Sequence, residues 1–222
     1  MNKNKFLIDM RIEKITDKIT LYNCDCMEFM KDIPDNYYDL AIVDPPYRDL
    51  KDNQPTKDMR QNGNIKVFGD KPNNLYFKEL FRISKNQIIW GANNFTLPNY
   101  MGFIVWEKLT ISETFTMSMA ELAYLSKGLG TVSKIFKCAP QGNKKDPRIH
   151  PTQKPVKLYE WLLKNYAKPT DKILDTHFGS CSIGIACHNF GCSLDACELD
   201  DEYFDKAYKR LRMHARQLDL FK

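Results

Sequence analysis

Apolar runs of strand length alternate along this chain with stretches whose apolar residues recur at helical spacing. Residues 18–23 (KITLYN) alternate apolar and polar side chains and predict a short strand. Residues 25–31 predict a short helix that stops by Pro34. Residues 38–43 (YDLAIV) predict a buried strand, which must end at Asp44-Pro45-Pro46 because two prolines cannot continue a central strand. A helix is expected over 74–83. Buried strands follow over 87–90 (QIIW), 102–106 (GFIVW) and 119–125 (MAELAYL), and an edge strand over 131–138 (TVSKIFKC). Residues 157–166 place Leu158, Trp161, Leu162 and Leu163 on one helical face. Near the end the pattern is plainest. Residues 172–174 form an apolar strand ending at Asp175, then a glycine-bearing turn, then a helix opened by Ile183, Ile185 and Ala186. A second strand, 193–197, ends at Glu198, and an amphipathic helix covers 201–216. This strand–turn–helix–strand–acid order is the βαβ unit that binds an adenine nucleoside at the strand tips. The alternation predicts an α/β sandwich with a mostly parallel sheet and helices on both faces, its function at the carboxyl ends of the strands.

Composition narrows the picture. With 222 residues, 43% apolar and 27% charged, one domain spanning 1–222 is expected, large enough to bury a core without disulfides. No segment reaches the roughly 20 apolar residues of a membrane helix, and residues 1–9 lack the apolar core of a secretory signal. Neither a membrane partner nor export is therefore expected. Seven cysteines, an odd number without the short pairwise spacing of a zinc site, point to reduced thiols in a cytoplasm and to no metal. The net charge is only +5, but residues 126–172 hold eleven Lys and Arg against three acids, a local +8 that leaves −3 for the remainder. A localised basic patch suits a polyanion; a solvated lysine-rich face is the plainer alternative. Residues 48–74 are polar and long for a structureless connection, which marks a candidate mobile loop.

The first group that carries chemistry is Asp44-Pro45-Pro46-Tyr47. The prolines fix the backbone and donate nothing, which leaves the Asp44 carboxylate and the Pro45 carbonyl to accept both protons of an amino group. Tyr47 offers a face for a planar base. A proline-stiffened turn with a capping Asp is the structural alternative.

A strand ending in Asp-Pro-Pro-Tyr resembles the catalytic motif of the DNA amino-methyltransferases, which use S-adenosylmethionine to methylate the exocyclic nitrogen of adenine or cytosine. The resemblance implies a Rossmann-like methyltransferase sandwich and extends from about Lys18 to Arg212. The family's cofactor loop, Asp-Pro-Phe-x-Gly-Ser-Gly-Thr, is matched by Asp175, Gly179 and Ser180. The chain differs in having Thr176 and His177 for Pro-Phe and Cys181 for the second glycine, with Phe178 and Ser182 completing the loop. A side chain at Cys181 is expected to narrow the gap that glycine leaves for close backbone approach. Glu198, roughly 20 residues on, suits a carboxylate accepting ribose hydroxyls, with a helix N-terminal acid as the alternative. By resemblance His150-Pro151-Thr152-Gln153-Lys154-Pro155 holds the carboxylate end of the methionine, with Lys154 and Thr152 as donors. Asp25, followed by Cys26, lies near the cofactor adenine, or is simply a helix N-cap. Asp44 counts among both the catalytic and the cofactor residues.

The order of motifs, Asp44 group first and cofactor loop last, is that of the family's beta group. The implied activity is site-specific transfer of a methyl group to adenine N6 in double-stranded DNA after the base is flipped out, since the target nitrogen is hidden in the duplex. The implied product is S-adenosylhomocysteine. Cytosine N4 is the close alternative, and a non-catalytic DNA-binding relic of the fold is the rival from another class; an RNA substrate also stays open. Lys51, Lys57, Arg60 and Lys66, and a small basic region at about 126–150, are candidate phosphate contacts. A homodimer and a cognate restriction nuclease stay open as partners. A cytoplasmic protein of bacterial or phage origin is the expected setting.

Overall fold

A computed structural model of the chain describes residues 10–48, 70–99, 101–115, 117–140 and 148–219. Nine strands form one sheet: β1 (Arg11–Thr16), β2 (Ile19–Asn23), β3 (Leu40–Val43), β4 (Gln87–Trp90), β5 (Gly102–Lys108), β6 (Ala120–Leu125), β7 (Lys134–Cys138), β8 (Lys172–Asp175) and β9 (Ser193–Glu198). Their spatial order is β1-β2-β9-β8-β3-β4-β6-β5-β7. The five strands from β2 to β4 run parallel. The antiparallel strand β6 is then inserted between β4 and β5, and β7 closes that side parallel to β5.

Among the described residues, five helices cover the sheet: α1 (Cys26–Lys31), α2 (Asn74–Ile83), α3 (Val156–Tyr166), α4 (Ser182–Phe190) and α5 (Asp201–Asp219). Strand alternation sends Leu40 and Ile42 to one face and Ala41 and Val43 to the other, and all four are buried because helices lie on both sides. Leu40, Ile42, Ile88 and Trp90 pack with Leu158 and Leu162 of α3, Ile183 of α4 and Phe204 and Leu211 of α5. Ala41, Val43 and Ile89 pack with Phe29 and Met30 of α1 and Tyr76, Phe77 and Leu80 of α2. Helix starts follow local chemistry. Asp25 accepts from Met27 N at 2.7 Å to open α1, and Asn73 accepts from the amides of Leu75 and Tyr76 to open α2.

The expected elements are present, with differences: the strands expected over 131–138 and 38–43 begin only at Lys134 and Leu40, and two further points depart from the pattern. Strand β1 was not foreseen: it pairs antiparallel with β2 at the sheet edge, and Ile12 is 43% exposed, so it has no buried face to imprint a pattern. Helix α5 continues beyond residue 216 to Asp219. Among the described residues no helix is long and apolar enough to cross a membrane. No group of three or more His, Cys, Asp or Glu could hold a metal ion there, and the seven cysteines are free thiols. Most of the expected mobile loop and the centre of the basic connection, residues 49–69 and 141–147, lie outside the described residues, so Lys51, Lys57, Arg60 and Lys66 lie there too.

Candidate active site

The parallel register places Ala41 beside Leu174, so the tips of β3 and β8 adjoin. Asp44 leaves the first and Asp175 ends the second. Two clusters meet there.

The first is built on Asp44. Pro45 is buried behind it. The Tyr47 hydroxyl donates to Asp44 Oδ1 at 2.5 Å, and Lys154 Nζ donates to Asp44 Oδ2 at 2.5 Å. Both donors also reach one further acid. Glu121 Oε2 is 3.0 Å from Lys154 Nζ and 3.2 Å from the Tyr47 hydroxyl. Lys108 Nζ takes the other Glu121 oxygen at 2.6 Å. Lys108 and Lys154 are 7% and 5% exposed. Two cations and two anions thus alternate in a nearly dry network, an arrangement that tolerates burial only while every member is paired. Burial works to raise the Glu121 carboxyl, but Lys154 and Lys108 overcome it and hold it down at about 2. Burial likewise works against the Lys154 ammonium, yet Asp44 and Glu121 leave its pKa raised. Burial, then the Asp44 and Glu121 charges, push the Tyr47 phenol well above its usual range, so it stays a donor.

The Tyr47 ring is seated by a glycine. Gly91, just past β4, has φ +71°, and a Cβ there would lie 2.2 Å from Tyr47 Cε1. Its backbone N–H donates to Leu122 O at 2.8 Å, which ties the β4 turn to β6. Only glycine meets both the left-handed backbone and the contact. The Phe95 ring stands edge-on at 6.2 Å.

The second cluster is the turn from β8 into α4. Gly179 and Cys181 both have left-handed backbone, at φ +48° and +56°. The His150 ring packs over Gly179, 3.6 Å from where a Cβ would stand, and meets Tyr203 at 4.3 Å between centroids. Cys181 does not fill the gap left beside the loop. Its sulfur turns inward, 2.5 Å from where a Cβ on Gly184 would be, so the expected obstruction is relieved by a second glycine one helical turn on. Arg210 of α5 clamps the turn from behind, donating to Ser180 O at 2.6 Å and Ser182 Oγ at 3.2 Å. Glu198 bridges two backbones, accepting from Gly179 N at 3.0 Å and Asp200 N at 2.9 Å. Burial raises its pKa.

Asp175 is 1% exposed and accepts from His177 N at 3.0 Å through Oδ1. Burial pushes it up to about 8. His177 and Thr176 replace the Phe and Pro of the family loop and are joined to α2: Tyr76 Oη lies 2.6 Å from Thr176 Oγ1, which lies 2.9 Å from His177 Nδ1. Burial lowers the His177 pKa to about 4, keeping it a neutral ring, edge-on to Tyr76 at 5.4 Å. Phe178 is buried against Phe204.

Most residues expected at the site therefore converge: Asp44, Pro45, Pro46 and Tyr47 at one tip, Asp175 to Ser182 and Glu198 at its neighbours, and Asp25 and Cys26 just past β2, which pairs with β9. Two do not sit as expected. Lys154 turns its ammonium to Asp44 and Glu121 rather than to the loop. Thr152 is exposed, its hydroxyl 3.1 Å from His150 Nδ1. Lys108, Glu121, Arg210, Gly91 and Gly184 had not been singled out. Of the basic residues of 126–150, Lys137 stays exposed while pairing with Glu107 at 2.8 Å, and Lys134 donates to Asn165 at 2.8 Å.

The donor set suits S-adenosylmethionine. A carboxylate at the tip of β9 can take ribose hydroxyls, a buried acid at the tip of β8 can take an ammonium, and the left-handed Gly179 turns the chain between them.

Comparison with known proteins agrees. The chain is 27% identical to the type II methyltransferase M.HinfI of Haemophilus influenzae over 259 aligned positions, covering 91% of this chain and 71% of the relative. Two solved structures share the fold. M1.HpyAVI in complex with SAM has a TM-score of 0.56 at 23% identity, over 87% of this chain and 98% of that one. The cytosine-N4-specific PvuII DNA methyltransferase has a TM-score of 0.58 at 12% identity, over 91% and 93%. The N6/N4 DNA methylase family model matches residues 65–209, well over half the chain and including Glu121, Lys154 and the cofactor-loop turn, while Asp44 to Tyr47 lie just ahead of the matched span. This chain belongs to the N6/N4 family of DNA methylases.

Proposed function

We propose that this DNA methylase transfers a methyl group from S-adenosylmethionine to the N6 amino group of adenine in DNA, taken from the duplex by base flipping. The observation that carries the reading is the adjacency of the β3 and β8 tips, which sets the Asp44 carboxylate beside the glycine-bearing turn. Gly179, Ser180, Asp175 and Glu198 would hold the cofactor, with Asp25, Cys26, His177 and Phe178 around its adenine end. Bound there, S-adenosylmethionine supplies a methyl group on a positively charged sulfur. Asp44 and the Pro45 carbonyl accept the two amino protons and localise the nitrogen lone pair. Each Asp44 oxygen already accepts one internal hydrogen bond and keeps a second lone pair. Tyr47 is held on one side by Gly91 and offers its other side to the flipped base. Lys154 acts on Asp44 rather than on the cofactor. Positioning and fixed charge do most of the work.

In the family, Asp rather than Ser ahead of the two prolines leans toward adenine, as a tendency with exceptions, and Asp44 supports the adenine reading on that resemblance. The 1–222 span acts as a single catalytic domain, with DNA phosphates met by 48–74 and 126–150. The test is to incubate the protein with labelled S-adenosylmethionine and unmethylated DNA, digest to nucleosides and weigh the product, with Asp44→Ala alongside. N6-methyladenine lost in the variant is the expected result. N4-methylcytosine would move the base and keep the mechanism, and no cofactor binding at millimolar concentration would overturn both in favour of a relic.

A further inference from the structure

We propose that Glu121 is a positioning residue for methyl transfer, sharing the Lys154 ammonium with Asp44 and lying against the Tyr47 hydroxyl that donates to Asp44, so that the Asp44 carboxylate is held in aim and only partly neutralised. This rests on the reading of Asp44 given above.

The geometry is redundant in a way a packing contact is not. Lys154 bridges Asp44 Oδ2 and Glu121 Oε2, at 2.5 and 3.0 Å. The Tyr47 hydroxyl has one proton, which goes to Asp44 Oδ1 at 2.5 Å, and its oxygen lies 3.2 Å from the same Glu121 oxygen and accepts from Lys154 Nζ at 3.2 Å. Both donors to Asp44 thus lie against Glu121. Glu121 is itself fixed through its other oxygen by Lys108. Glu121 comes from β6 and Lys108 from β5, strands that pair antiparallel, so one strand pair supplies the whole rear support. Among the described residues, Tyr159 of α3 and Asp175 of β8 also feel the Asp44 charge.

A second anion on the ammonium matters for the chemistry. A carboxylate buried in a one-to-one pair with a lysine has its charge largely cancelled, because fields are weakly screened in a dry interior. As the nitrogen lone pair forms the new N–C bond and the S–C bonding pair stays on sulfur, the nitrogen sheds one proton to Asp44. A fully cancelled Asp44 would be a poor acceptor for it. Sharing Lys154 with Glu121 divides the ammonium's pull, while Lys108 restores overall neutrality to the cluster.

The test compares wild type, E121Q, E121D and the double variant K108M/E121Q for kcat, KM for DNA, cofactor affinity by calorimetry and thermal unfolding without cofactor. E121Q is expected to lower kcat by about 10²-fold, the scale of losing one preorganised group or of a 1 Å misplacement, with KM and cofactor affinity within threefold of wild type. E121Q also leaves one buried cation unbalanced and is expected to lower Tm by about 10 °C. K108M/E121Q removes that cation and should recover most of the Tm while kcat stays low. E121D, which keeps the charge, should recover part of kcat. Recovery of kcat together with Tm in the double variant would overturn the proposal, because Glu121 would then serve only charge balance. So would a wild-type kcat in E121Q, or a loss of cofactor affinity that accounts for its deficit. A wild type without methyl transfer would instead sink the reading of Asp44 itself.

Discussion

The inward turn of Cys181 makes a sharp prediction about Gly184. An alanine there would place its Cβ 2.5 Å from Cys181 Sγ and 2.8 Å from Leu211 Cδ2. Both neighbours are buried, at 1% and 0% exposed, but Leu211 meets the new Cβ only with a terminal methyl, so the sulfur is the harder obstacle. In helix α4 the alanine gains about 1 kcal/mol of propensity over glycine, but overpacking of this kind costs about 1–3 kcal/mol. A net loss of up to about 2 kcal/mol is expected, and a Tm lower by up to about 8 °C for a domain of this size. In Cys181→Gly, relief of the left-handed backbone, worth about 1–2 kcal/mol, offsets the lost sulfur contact and the freer unfolded chain, so stability should barely move. With the sulfur gone, Gly184→Ala meets only the end of Leu211, and the propensity gain wins. The double-mutant cycle by denaturant unfolding should therefore give a favourable coupling of about 1–2 kcal/mol. Cofactor affinity in Cys181→Gly should stay within threefold of wild type, since the thiol faces Gly184 and not the cleft. Additive effects, or a tenfold tightening of cofactor binding in Cys181→Gly, would refute the placement of this side chain.

Two pH predictions have opposite signs. Asp175 is raised from 3.8 to about 8, so its contribution to stability is fully present below about pH 4 and is lost as pH rises toward 8. His177 is lowered from 6.5 to about 4, so its contribution is present above about pH 6.5 and is lost as pH falls toward 4. Thermal unfolding of the cofactor-free protein from pH 4 to 9 should show the alkaline loss flattened in Asp175→Asn and the acid loss flattened in His177→Phe; slopes equal to wild type would contradict both assignments. Gly91→Ala should push the Tyr47 ring from its seat and lower kcat by about 10²-fold without changing cofactor affinity, and a wild-type kcat would show that the ring does not depend on this glycine.

The parts of the site written contiguously were legible in the sequence. Asp44 to Tyr47 and Asp175 to Ser182 sit where apolar runs stop, so strand tip and chemistry are read together. Strand β1 was not legible, because an edge strand with half-exposed isoleucines carries neither a buried run nor a clean alternation. The support of Asp44 was not legible either. Lys154 lies 110 positions from Asp44 in the chain, and its motif pointed to the cofactor's carboxylate rather than to Asp44. Glu121 looks like the polar member of an alternating strand, and nothing local tells whether its partner is water or two ammonium groups. Gly184 explains Cys181 only once their side chains are seen to face each other across a helical turn.

The pairing of Leu40 with Ile173 has a consequence for how the protein is made. One side of β3 stays bare until β8 leaves the ribosome, and at roughly 5–20 residues per second that wait is on the order of 10 s. Until then the nascent chain presents an apolar, unpaired strand edge, the feature most prone to pairing with a stranger. The same late docking brings the β8 turn against Asp44. Covering of this strand edge and assembly of the Asp44 cluster's surroundings therefore begin with the same docking step, and a chain stalled before Ile173 would have neither.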